Sequence, residues 1–109
     1  MGWCVPLRVV AVTRALEVAV TDPVPVAVGP DDFCRQLHPR LVGSLRLYLG
    51  DPSVAEELAQ DALVRVIERW PEVSAMAAPE AWTYRVAFNL ATSRLRRRMA
   101  ERRAQHRDG

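Results

Sequence analysis

The sequence predicts an all-α protein, a small three-helix bundle with a flexible N-terminal extension, on three observations. Apolar residues recur at helical spacing from Asp31 onward and not before it; most prolines and glycines, Pro39 and Gly43 apart, fall outside or at the borders of the periodic segments. Half of the 109 residues are apolar and 26% are charged, the balance of a folded chain. Three organised parts follow: an extension over 1–30, a helical domain over 31–104 and a disordered tail over 105–109. The foldable part is then roughly 70–80 residues, near the lower limit for a self-sufficient core, and leaves little room for an enzyme cleft.

The extension is Val-rich and ends in TDPVPVAVGPDD, where Pro23, Pro25, Gly29 and Pro30 forbid a continuing helix. Residues 9–20 suit a short strand or a frayed helix, and one strand cannot bury itself alone. The first helix carries Phe33, Leu37, Leu41, Leu45 and Tyr48 on one face, with Asp31 or Asp32 as N-cap, Gly50 as the stop, and Pro39 bending it or starting its second part. In the second, Ser53 and Glu56 form an S-x-x-E capping box, and Ala55, Leu58, Ala59, Ala62, Leu63, Val66, Ile67 and Trp70 follow the amphipathic rule until Pro71 ends it. Residues 71–78 read as a loop. Pro79 and Glu80 open the third helix, whose core face is Trp82, Val86 and Leu90, with Ala87 and Ala91 as further candidates for it, and which frays near Arg103. The predicted core is Leu45, Leu58, Leu63, Ile67, Trp70, Trp82, Val86 and Leu90.

The formal net charge of +2 conceals two opposed stretches. Over 51–80 the acids Asp51, Glu56, Glu57, Asp61, Glu68, Glu72 and Glu80 face only Arg65 and Arg69; over 94–107 seven arginines face only Glu101. One stretch suits a basic partner and the next an anionic one. On the second helix Glu56, Glu57, Gln60 and Asp61 share a polar surface, which is also how a merely solvated face with an acidic first turn would look. On the third, Arg85, Asn89, Thr92 and Arg96 share a face, with Phe88 beside it. Cys4 and Cys34 form no metal or disulfide pattern, so a reducing, cytoplasmic setting fits. Arg8, Arg14 and Glu17 interrupt the early apolar runs, so no membrane anchor is expected. His38 and His106 are isolated, no nucleophile set or Gly-rich loop is present, and Cys34 one turn before His38 is a chance pairing. The expectation is a non-enzyme without metal or cofactor.

Three blocks together carry a resemblance: HPRLVGSLRLYLGD at 38–51, AEELAQDALVRVIERW at 55–70 and AWTYRVAFNLATSRLRRR at 81–98. In order and spacing they resemble region 2 of sigma factors of the extracytoplasmic-function (ECF) type, over residues 31–104. The resemblance implies that the second helix docks on a basic coiled coil of the largest subunit of core RNA polymerase through Glu56, Glu57, Gln60 and Asp61. It implies that the third helix and the loop before it engage the non-template strand of the -10 promoter element as it opens, and hold an unstacked base. Arg85, Phe88, Asn89, Thr92, Arg96 and Arg97 are the expected DNA contacts. Asn89 can read a base edge, arginines can neutralise phosphates, and Phe88 either offers a ring or belongs to the core. Trp70 and Trp82 read as core aromatics. An anti-sigma protein is a further candidate partner. The helix-turn-helix that reads the -35 element in such factors is expected to be missing, as in a fragment, a truncated gene product or one part of a split factor, and weak initiation is therefore expected. The competing reading is a helical protein-interaction module whose arginine tail binds nucleic acid nonspecifically; Arg85 and Asn89 on one face, after an acidic helix, distinguish the two.

Overall fold

The computed structural model describes residues 29–108, and within them every regular element is a helix: α1 (Pro30–Leu49), α2 (Pro52–Glu68), the short α3 (Trp70–Ser74) and α4 (Pro79–Asp108). The expectation for the N-terminal extension falls on residues outside this range, apart from Gly29 and Pro30. Gly29 is the N-cap of α1 and Pro30 occupies its first turn, so Asp31 and Asp32 are not caps; they lie in the first turn, where the helix dipole favours them. The helix runs through Pro39 as one element. That ring is on the exposed side, and with no N–H the residue forfeits the backbone hydrogen bond to the Arg35 carbonyl.

A two-residue connection turns the chain into α2. Gly50 adopts φ 71°, ψ 10°, a left-handed conformation that glycine reaches without strain, and its N–H donates to the Arg46 carbonyl at 2.8 Å. Asp51 is then the N-cap of α2, its Oδ1 accepting from the amides of Ser53 (3.0 Å) and Val54 (3.2 Å). The sequence-predicted capping box of Ser53 and Glu56 does not form. Pro52 suits the first helical position, which puts the cap one residue before it.

Phe33, Leu37, Leu41 and Leu45 of α1 are fully buried against Val54, Ala55, Leu58, Ala59, Ala62, Leu63 and Val66 of α2. Helix α2 stops at Glu68 instead of Trp70, and part of the expected loop is α3, which buries Val73 and sets the Trp70 ring 5.4 Å from Phe33. Ile67 leaves the predicted core, at 50% exposure. On α4 the buried residues are Pro79, Glu80, Thr83, Tyr84, Ala87, Phe88 and Ala91; Trp82, Val86 and Leu90 only lean on the cluster from the side. The helix is thus rotated from the predicted face, because its bulky apolar residues lie on several sides and the small Ala87 and Ala91 permit closer approach. Burial raises the Tyr84 phenol pKa, opposed by Arg40 and by a hydrogen bond with Ser44. Helix α4 passes Arg103 without a break and takes in 105–108, where a tail is predicted. No glycine or proline interrupts it before Gly109, and its Arg, Ala, Glu and Gln residues are strong helix formers.

Candidate functional site

Because α2 buries its Ala/Leu stripe against α1 and α4, the opposite stripe is presented outward. Glu57, Gln60, Asp61, Val64, Ile67 and Glu68 are all exposed on it. The four acidic-face residues are not equivalent. The Glu56 carboxylate meets His38 Nε2 of α1 at 2.9 Å and accepts from Gln60 Nε2 at 3.1 Å, and these contacts, Gln60 first, lower its pKa. Glu57 receives both terminal nitrogens of Arg94, at 3.0 and 3.4 Å, and this hydrogen-bonded pairing lowers the pKa of the carboxyl and raises that of the guanidinium. Asp61 is exposed and makes no contact-range ion pair with a described residue.

Helix α4 divides the arginine run in two. Ala87, Ala91, Arg94 and Arg98 fall on one stripe at spacings of four, three and four, so the face that is apolar at the centre of the bundle ends in two inward-turned arginines. Arg94 takes Glu57, and Arg98 reaches Asp51 Oδ2 at 3.4 Å. The Asp51 carboxyl has a lowered pKa, chiefly through the Val54 amide, with Ser53 and Arg98 adding to it against a desolvation cost. Sequence reasoning missed both pairs; the signal available was the stripe continuing from the two alanines.

Of the expected DNA contacts, Arg85, Asn89, Arg96 and Arg97 are exposed on the outward side of α4. Phe88 is not. At 4% exposure it lies in the core, its ring edge-on to Tyr48 at 5.1 Å and 79°, and its reading as a base platform is corrected. Its position follows from Tyr84, one turn earlier on the same buried face. Thr92 is half-buried and shares a 2.9 Å hydrogen bond with the Tyr48 hydroxyl, which ties the helix to α1. Trp82 is half-buried. With Val86, Arg65, Glu68 and Arg69 it lines a cavity of about 290 Å³ between the end of α2 and the start of α4. Cys34 and His38 do not converge: the thiol lies 3.9 Å from the Leu63 carbonyl, its pKa raised first by burial and then by Asp31, and His38 is engaged by Glu56. Among the described residues no three metal-binding side chains come together, and no helix is long and apolar enough to cross a membrane.

Residues 33–101, which span α1 to most of α4, match the family described as Sigma-70 region 2. The chain belongs to the sigma-70 family. An uncharacterized protein of Rhizobium meliloti (strain 1021) is 32% identical over 64 residues, 59% of this chain and 15% of that protein. The chain therefore spans a small part of the length of this relative. No solved structure matches it. Within this sigma-70 region 2, the acidic face of α2 and the outward arginines and Asn89 of α4 lie on separate helices that meet through Arg94 and Glu57.

Proposed function

We propose that this sigma-70 region 2 is of the ECF type and acts in the cytoplasm by binding, without catalysis, to two partners. Helix α2 docks on a basic surface of core RNA polymerase, and α4 engages the non-template strand of the -10 promoter element as it opens. The observation that carries this reading is the separation of two outward faces of opposite charge inside the family-matched segment. On α2, Val64 and Ile67 are half exposed among Glu57, Gln60, Asp61 and Glu68, an apolar centre with a polar rim of the kind protein interfaces use. Basic partner groups would be steered by the rim and the apolar pair would be desolvated on contact.

On α4, Arg85, Arg96 and Arg97 can neutralise phosphates along one strand, and Asn89 lies between them with an amide able to pair with a base edge. Extruding a base costs a few kcal/mol in lost stacking and pairing, which a stacking surface must offset. The cavity beside Trp82 supplies such a surface next to Arg65 and Arg69, and Trp82 and Val86 each precede Arg85 and Asn89 by three residues, on the same side of the helix. The test is charge reversal. Glu57→Arg with Asp61→Arg should weaken co-purification with core RNA polymerase while the far-ultraviolet circular dichroism spectrum stays helical. Equal recovery of polymerase by the reversed protein rules the docking face out.

A further inference from the structure

We propose that Arg94 is an intramolecular competitor for the docking face: it occupies the Glu57 carboxylate in the free protein, and a basic partner must displace it. This rests on the docking reading above and adds a built-in restraint to it. Both carboxylate oxygens of Glu57 are engaged, Oε1 by Nη2 at 3.0 Å and Oε2 by Nη1 at 3.4 Å. The fork takes one lone pair of each oxygen and compensates the charge of the carboxylate, so a second cation meets a weakened acceptor while Arg94 stays in place. The guanidinium comes from the opposite direction to the partner. Its side chain is 23% exposed, held on the inward stripe of α4, whereas that of Glu57 is 54% exposed and opens to solvent. Arg98 repeats the arrangement one turn on, with Asp51, so α4 is pinned to the start of α2 at two successive turns. Asp61, one turn from Glu57 on the outward stripe, has no such partner and is the carboxylate a cation can reach first.

The consequence is a difference and not a sum. A partner lysine or arginine that pairs with Glu57 gains that contact and breaks the Arg94 contact, so the net return is small until Arg94 is removed. An exposed pair of this kind is worth up to about fivefold in an equilibrium constant. Arg94→Gln should therefore bind purified core RNA polymerase about two- to fivefold more tightly than the parent. In a Glu57→Gln background the same substitution should have a clearly smaller effect, since only the longer-range attraction between Arg94 and Asp61 is left to relieve; this second arm separates the loss of the Glu57 fork from the effect of net charge alone.

The experiment is a four-member cycle of parent, Arg94→Gln, Glu57→Gln and the double variant, with dissociation constants for core polymerase by fluorescence anisotropy and helicity by circular dichroism. Tighter binding that depends on Glu57 supports the proposal. Unchanged or weaker binding by Arg94→Gln overturns it and makes Arg94 a positioning residue that orients Glu57 for the partner. Should Arg94→Gln lose helicity, Arg94→Lys carries the test, because an ammonium cannot hold both oxygens and should raise affinity by a smaller factor; no rise overturns the proposal. Failure of the docking reading is seen separately, as full polymerase affinity in Asp61→Arg.

Discussion

Replacing Phe88 decides between its two roles, a buried ring or a surface for a DNA base. The ring is 4% exposed and edge-on to Tyr48 at 5.1 Å, and Tyr48 in turn holds Thr92 at 2.9 Å. Truncation to alanine removes a buried aromatic and should cost about 3–5 kcal/mol, including about 0.5–1.5 kcal/mol for the ring pair. A domain of this size has a total stability on the order of 4–12 kcal/mol. At roughly 4–8 °C per kcal/mol, Phe88→Ala should lower the melting temperature by more than about 12 °C and approach outright unfolding. Phe88→Leu keeps most of the volume and should lose about 1–2 kcal/mol, a drop of roughly 4–16 °C. The assay is thermal melting by circular dichroism, paired with binding of a labelled single-stranded -10 oligonucleotide at a temperature where parent and Phe88→Leu are both folded. The expected result is a lowered melting temperature with unchanged oligonucleotide affinity. A Phe88→Leu protein that melts like the parent yet binds the strand more weakly refutes the burial argument and returns the ring to the DNA.

Asn89→Ala should flatten preference among strand sequences by about 1–3 kcal/mol at one base while changing average affinity little, as seen by competition among oligonucleotides. Arg96→Ala with Arg97→Ala should do the opposite, weakening all sequences and making the salt dependence shallower by roughly 0.7 per lost phosphate contact for single strands, measured at several salt concentrations. Trp82→Ala should lose affinity for an oligonucleotide but not for an abasic one at the same position, a contrast read by paired titrations. Asp51, Glu56 and Glu57 all have lowered folded pKa values, so their stabilisation is present above the ordinary values of 3.8 and 4.5 and is lost as pH falls through the lower folded ones. Melting temperature should therefore fall on acidification below about pH 4, and Asp51→Asn, which keeps a capping acceptor without a titrating charge, should blunt that fall.

The bundle was legible where one residue type dominated one face. The four-residue spacing of Phe33, Leu37, Leu41 and Leu45 allows one buried side, and the structure buries that side completely. Helix α4 offers no such choice. Trp82, Val86 and Leu90 make a plausible stripe, but Tyr84, Ala87, Phe88 and Ala91 form another, and small size, which lets helices approach, outweighs bulk. Ile67 illustrates the same limit: it fits the period of α2 and is nonetheless half exposed, because α3 and α4 cover only part of that helix. The outward placement of Glu57, Asp61, Arg85 and Asn89 follows from periodicity. The Arg94 and Arg98 pairs do not, since they join residues 37 and 47 positions apart and depend on how α4 is rotated against α2.

The Gly50–Asp51 connection has a consequence for anyone who wishes to label or re-engineer this domain. Two adjacent residues close α1, open α2 and anchor Arg98 of α4, so a tag, a fluorophore linker or a new chain terminus placed there would disturb three helices at one stroke. Ala75 and Ala77, exposed between α3 and α4, carry no comparable duty. The domain is thus modular at one of its corners and monolithic at the other.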